Sequence, residues 1–360
     1  MKIGIITETL EDETRTALTP ESAQQIQKLG HEILMESGAG LRSGLSDKIF
    51  KDIGVRIGKT AKSVIERSDV LIKLHPVTKL ESKLLKKGQT LISFFYPAQN
   101  EKLMQSLAKK GVNVIAMDMV ARISRAQKMD ALSSMANIAG YRAVIEASNE
   151  FERFFAGQIT AAGKVLPAKV LVIGAGVAGL AAIGTAVSLG AVVTAFDVRP
   201  EVADQVKSMG ADFLFLDFED SSQDSASTGG YAAPSSPEFR DKQLEAFRKV
   251  APDVDIVITT ALIPGRDAPK LWLKDMVKMM KPGSVIVDLA AEKGGNCDLT
   301  KPGEKFISPN GVTILGFTDL PARMGAQASF LYASNIRHML HDLTPDGDGK
   351  INHNMEDDVI

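Results

Sequence analysis

Apolar residues in this chain follow two alternating rhythms. Short unbroken runs rich in Val, Ile and Leu read as strands buried on both faces of a parallel sheet. Between them, apolar positions recur three or four apart, as on an amphipathic helix. Runs of the first kind fall at residues 2–7, 31–36, 70–74, 90–94 and 112–116. Thr19-Pro20-Glu21 has the form of a helix start, a capping hydroxyl followed by proline in the first turn; Ala23, Ile26 and Leu29 share one face and Gly30 closes the helix. A helical segment without proline, roughly 127–155, leads to a second series of runs at 169–174, 192–196, 213–216, 255–259, 284–288 and 312–315. Another helical stretch, 326–341, follows the last of them.

Two successive series of alternating strands and helices predict an α/β chain of two doubly wound, Rossmann-like domains with parallel sheets, linked by long helices. The expected division puts residues 1–137 and 327–360 in the first domain, with the C-terminal helix returning to it, and 138–326 in the second. A mobile loop is expected at about 219–240, where Ser, Gly, Ala and Pro replace the core pattern. Two readings stand for it: a lid in which Gly229-Gly230 hinges Tyr231 onto a ligand, or a plain insertion.

Composition works mainly by exclusion. A formal net charge of -2 leaves no electrostatic footprint for nucleic acid. The single cysteine, Cys297, excludes an intramolecular disulfide and suits a reducing compartment, where a buried structural thiol is the expectation. With 44% hydrophobic and 24% charged residues the chain reads as globular and soluble. No apolar run reaches the roughly 20 residues of a membrane span, and because Met1-Lys2-Ile3 opens directly as a strand no cleavable leader is expected. No metal site is expected; the acidic spacing at 346–357 is rejected as a calcium loop because Ile351 stands where such a loop needs glycine.

The sequence carries one motif of specific chemistry. Gly174-Ala175-Gly176-Val177-Ala178-Gly179 follows a strand and opens a helix, and the next strand ends at Asp197, eighteen residues beyond Gly179. That context makes it a dinucleotide fingerprint. Gly174 permits the tight turn, Gly176 lets a pyrophosphate approach the backbone, and Gly179 lets helix and strand pack closely. Free N–H groups and the positive helix end then receive the anion. Asp197 can accept both adenosine ribose hydroxyls and repels a 2′-phosphate, which favours NAD over NADP. Arg199 pulls the other way, toward a 2′-phosphate; a contact to the pyrophosphate or a carboxylate is its alternative. Residues 122–137 form a second concentration of chemistry: Arg122, Arg125, Gln127, Asp130, Ser133, Ser134 and Asn137 without a metal-ligand set or a nucleophile beside a base. Such a loop suits a nicotinamide, whose hydride chemistry needs positioning and no protein nucleophile; the competing reading is a solvated helix start.

These residues resemble the NAD(H)-binding component, domain I of the alpha subunit, of the proton-translocating NAD(P) transhydrogenases, across nearly the whole chain. The resemblance runs through residues 13–20, 122–137, 174–179, 197–199, 229–232, 288–297 and 316–323, with Arg122-Ile-Ser-Arg-Ala-Gln127 its most specific block. It implies an oxidoreductase and translocase in which hydride passes directly between NADH here and NADP+ on a partner subunit, coupled to proton translocation by membrane subunits. It assigns Gln127 to the juxtaposed nicotinamides, and Arg122, Asp130 and Ser133 to fixing the NAD(H) ring and ribose. Further NAD(H) contacts are implied at Ile123, Ser124, Arg125, Ala175, Gly176, Val177, Asp197, Val198 and Arg199, with Gly230 and Tyr231 on the lid and Gln243 and Leu262 on the adenosine side. A homodimer, an NADP(H)-binding subunit and membrane-domain subunits are the implied partners. The implied location is peripheral, on the cytoplasmic side of the inner (plasma) membrane.

The related alanine dehydrogenases share Arg15 and Lys73, which hold pyruvate there, and need a proton-relaying His. Here the corresponding strand end, Ser93-Phe-Phe-Tyr-Pro-Ala-Gln99, has none, and His75 is expected to be structural. Arg15 and Lys73 are then expected to stabilise the first domain by pairing with carboxylates. A non-enzymatic NAD(H) sensor is the remaining alternative.

Overall fold

A computed structural model describes residues 1–216, 236–263 and 266–359. The chain divides into two compact units, residues 1–135 with 321–360 and residues 136–320.

The first unit holds a six-stranded sheet: β1 (Lys2–Ile5), β2 (Glu32–Glu36), β3 (Arg56–Gly58), β4 (Val70–Ile72), β5 (Thr90–Ser93) and β6 (Asn113–Ala116). All pairs are parallel, in the order β3-β2-β1-β4-β5-β6. Side chains alternate across a strand, and both faces are covered: Ile3, Ile5, Met35 and Ile72 are buried, as are Leu34, Leu71 and Leu91. The helix Pro20–Lys28 starts as its sequence indicates, with Thr19 accepting from the Ser22 N–H and the Ser22 hydroxyl answering the Thr19 N–H. The short strand β3 is not among the predicted runs; only Gly58 of its three residues is buried, so it carries little apolar signal.

In the second unit a short antiparallel hairpin, β7 (Gln158–Thr160) and β8 (Gly163–Val165), precedes the main sheet. The main sheet comprises β9 (Lys169–Ile173), β10 (Val192–Phe196), β11 (Asp212–Phe213), β12 (Ile256–Thr259), β13 (Val285–Asp288), β14 (Lys305–Ile307) and β15 (Thr313–Leu315), ordered β11-β10-β9-β12-β13-β15-β14. Only β14 runs antiparallel, as an edge strand that the apolar pattern does not separate. Val170 and Val172 of β9 join one buried cluster while Leu171 and Ile173 join another. That alternation is why the run reads as continuously apolar: helices cover both faces.

The segment expected to be helical over 127–155 resolves into a tight 3-10 stretch, Ser124–Met129, and an α-helix, Ala131–Glu150. Asp130 ends the first and caps the second. The C-terminal helix, Gly325–Leu343, belongs to the first unit. Beyond it the chain folds back as a packed segment, the Gly349 N–H bonding to Leu29 O and the Asn352 N–H to Leu343 O.

Candidate functional site

In the second unit the strand order reverses at β9, whose neighbours are β10 and β12. Open α/β sheets bind ligands at the carboxyl end of such a switch point, and there the chain turns through residues 174–179 into the helix Val177–Ser188. Gly174 has φ +99°, and a Cβ on it would strike the Thr260 hydroxyl. A Cβ on Gly179 would collide with the Gly174 carbonyl, so that glycine sets how closely helix and turn approach. Gly176 has open space around it. A cradle of this kind admits an anion to the backbone, and the first helical N–H groups lack intrahelical partners. Ala175 is buried and Val177 exposed.

Asp197, at the end of β10, is tied to this turn. Its Oδ2 accepts from the Ala175 N–H at 2.7 Å, and the Arg199 guanidinium closes on the same carboxylate, with Nε donating to Oδ1 at 2.9 Å. Val198 packs against the core cluster containing Phe196 and Phe247. Leu262 is exposed, whereas Gln243 is buried within the helix Pro237–Val250. Gly230 and Tyr231 lie outside the described residues.

Three supports of this region carry no assigned role in the sequence analysis, although two of them lie in its 288–297 block. The Thr260 hydroxyl donates to Ile173 O and Gly174 O, bracing the fingerprint turn. Asn296, fully buried, bonds Ala261 through both amide atoms and also holds Pro269 O, which fixes the segment bearing Leu262. Asp288 gathers Thr259 Oγ1, Thr300 Oγ1 and the N–H groups of Ala290 and Cys297. Asp288 and Asn296 lie in the resemblance block 288–297, whereas Thr260 is marked only by its position directly after a strand run. Cys297 is buried, and burial pushes its thiol up to about 12, an inert group. Gly140, on the helix Ala131–Glu150, lies so close to Ala178 O that no side chain fits between.

In the first unit the loop ahead of that helix brings several expected residues together. Asp130 accepts from the Ser133 N–H at 2.9 Å and from the Ser133 hydroxyl at 2.6 Å, a helix cap that uses both carboxylate oxygens. Gln127 is exposed and its backbone carbonyl receives the Asp130 N–H. The cations around it are held by the C-terminal region: Arg125 pairs with Asp357, Lys128 Nζ lies 2.6 Å from Asp342, and the Asn335 amide donates to Lys128 O. Ile123 and Ser124 are exposed, as is Arg122.

The first unit has its own switch point at β1, and charged groups fill it. Arg15 forms a fork onto Glu13, with Nε at 2.7 Å and Nη2 at 2.6 Å, and His75 Nε2 lies 2.6 Å from the same carboxylate. Lys73, 1% exposed, bonds both Glu81 oxygens at 2.9 Å and lies 3.8 Å from Glu8. Burial alone would raise the Glu13 pKa, but bonds from Arg15 and His75 outweigh it and bring the carboxyl down to about 2. Burial holds Glu8 above the usual carboxylate range. Arg15 and Lys73 are therefore structurally paired, and a substrate carboxylate would have to displace Glu13 or Glu81 to reach them.

A doubly wound sheet with a glycine turn at its switch point and a carboxylate ending the next strand defines the NAD-binding Rossmann class. The chain belongs to the alanine dehydrogenase/PNT family, whose N-terminal domain model matches residues 4–139 and C-terminal domain model residues 143–360. It is 66% identical over 360 residues to NAD(P) transhydrogenase subunit alpha of Cereibacter sphaeroides, covering 100% of this chain and 69% of that one. It is 53% identical over 360 residues to NAD(P) transhydrogenase subunit alpha of Haemophilus influenzae, again covering 100% and 69%. The crystal structure of transhydrogenase from Sinorhizobium meliloti matches with TM-score 0.89 at 40% identity, covering 100% of this chain and 96% of that one. Among the described residues no helix is long and apolar enough to cross a membrane, and no cluster of potential metal ligands occurs.

Proposed function

We propose that this chain is the NAD(H)-binding component of a proton-translocating NAD(P) transhydrogenase. The observation that carries the reading is the fingerprint turn at the switch point, tied to Asp197, in a chain 66% identical along its whole length to a transhydrogenase alpha subunit. The residues fit a dinucleotide: Gly176 leaves the space a pyrophosphate needs, and Asp197 stands where a ribose is recognised. Bound NADH supplies a hydride at C4 of its nicotinamide ring. The chain's own task is to bind, orient and exclude water: 174–179, Asp197 and Val198 hold the dinucleotide with Arg199 at their side, Ile123, Ser124, Arg125, Gln243 and Leu262 add contacts, and Arg122, Asp130 and Ser133 fix the ring and ribose. Gln127 positions one ring against another, carried by a second subunit that binds NADP(H). No side-chain acid or base is required for that transfer.

In this reading the active form is a homodimer docked peripherally on the cytoplasmic side of the inner (plasma) membrane, beside membrane subunits that carry protons. The test is reconstitution. The chain alone binds NADH without oxidising it; added NADP(H)-binding subunit starts hydride transfer from NADH to NADP+. Failure of that mixture to transfer hydride, with NADH bound, returns the chain to a nucleotide sensor. The paired state of Arg15 and Lys73 disfavours alanine dehydrogenase chemistry, and NADH oxidation dependent on pyruvate and ammonium would restore it.

A further inference from the structure

Asp197 is saturated. A carboxylate offers about four lone-pair directions, and all of them are taken. Oδ1 accepts from the Arg199 backbone N–H at 3.0 Å and from Arg199 Nε at 2.9 Å; Oδ2 accepts from the Ala175 N–H at 2.7 Å and from Arg199 Nη2 at 3.0 Å. Two of these are backbone bonds that fix the carboxylate beside the fingerprint turn. The other two come from a single side chain. The pair is shielded, with side-chain exposures of 18% for Arg199 and 6% for Asp197. Bonding to Asp197 also lifts the guanidinium pKa, so the fork stays cationic at every working pH.

We infer that the Arg199 side chain is an internal occupant of the ribose-recognition carboxylate, one that an incoming dinucleotide must displace, so that Arg199 sets both affinity and nucleotide choice. The inference rests on the reading of 174–179 and Asp197 as the adenosine-ribose end of an NAD(H) site. A ribose diol can reach Asp197 only along the directions now held by Nε and Nη2. Two neutral hydroxyls then replace a cationic guanidinium as partners of the carboxylate, which weakens binding. A nucleotide with a 2′-phosphate meets a different balance: Asp197 repels it, while the displaced guanidinium matches it. Arg199 thus lowers affinity for NADH and narrows the gap to NADPH that Asp197 alone would open.

Calorimetric titration of the full chain with NADH and with NADPH tests this, using wild type, Arg199→Met, Arg199→Lys and Asp197→Asn. Arg199→Met is expected to bind NADH about fivefold more tightly, the size a partly screened ion pair supports, and NADPH more weakly. Arg199→Lys, which keeps the charge without the fork, falls between wild type and Met and serves if the Met variant fails to fold. NADH binding by Arg199→Lys and Arg199→Met no tighter than wild type, or NADPH binding that tightens, overturns the inference. In that case Asp197→Asn still weakens NADH binding, and the site reading survives. Wild type that binds no NADH, or Asp197→Asn that binds as well as wild type, overturns the site reading and the inference with it.

Discussion

Two glycines in one turn illustrate how a single methyl group separates folding from binding. Gly176 faces open space, so Gly176→Ala is expected to leave the melting temperature nearly unchanged while weakening NADH binding, because the new methyl group occupies the room a pyrophosphate would use. Gly179→Ala drives a Cβ into the Gly174 carbonyl and is expected to cost about 1–3 kcal/mol of stability as well as binding. Thermal melts paired with titrations check both, and equal effects at the two positions would refute the division. The motif itself is legible from adjacent residues; that Thr260 and Ala175–Asp197 bonding lock the turn is not, since Thr260 lies 86 residues from Gly174 in the chain. Gln127 tests the proposed positioning of the nicotinamide ring. Gln127→Asn shortens an exposed side chain, and slower hydride transfer in the reconstituted complex with NADH affinity little altered is expected. Parallel loss of both would reduce Gln127 to a binding residue.

Among the elements, the helix Ala131–Glu150 depends on its first turn. Asp130 satisfies the Ser133 N–H, a bond of the kind whose loss costs about 1 kcal/mol, so Asp130→Ala should destabilise the chain by roughly that amount and Asp130→Asn by much less. If the two variants also differ little from wild type in NADH affinity, Asp130 acts mainly through the helix it caps; a large loss in both points to direct contact with the nucleotide. Denaturant midpoints and titrations separate these. The long strands are readable because Val, Ile and Leu fill both faces. β3 and β14, exposed at sheet edges, and the hairpin β7–β8, whose Ile159 is 91% exposed, bury too little to leave such a pattern. The break at Asp130 between 3-10 turn and α-helix also escapes the helical periodicity, which runs through both.

For the molecule as a whole, the buried charges of the first unit should make stability depend on acid. Glu13 titrates at about 2 in the fold against an ordinary 4.5, a gap worth roughly 3 kcal/mol. Because the folded pKa is the lower one, this stabilisation is complete above about pH 4.5 and disappears as pH falls toward about 2. Glu8, shifted upward by burial, acts oppositely and gains from protonation. Urea midpoints of wild type and Glu13→Gln, compared from about pH 6 down to about pH 2, should show the two curves converging in that window. Parallel curves would mean Glu13 contributes no linked stability.

Neighbouring residues alone specify the long buried strands, the main helices and the dinucleotide motif, because strand burial, helix capping and a glycine turn are each written within a short stretch of chain. They also carry the family resemblance that the comparisons bear out. Which charges meet depends instead on the folded chain. Arg15 and Lys73 find Glu13 and Glu81 only two and eight residues away, but the cations flanking Gln127 are held by Asp342 and Asp357, and the C-terminal segment packs against Leu29. Asp342 and Asp357 lie more than 200 residues from their partners. A charged side chain carries no local mark of a partner so far away in the chain; only the closing of the fold brings those donors and acceptors within hydrogen-bonding distance.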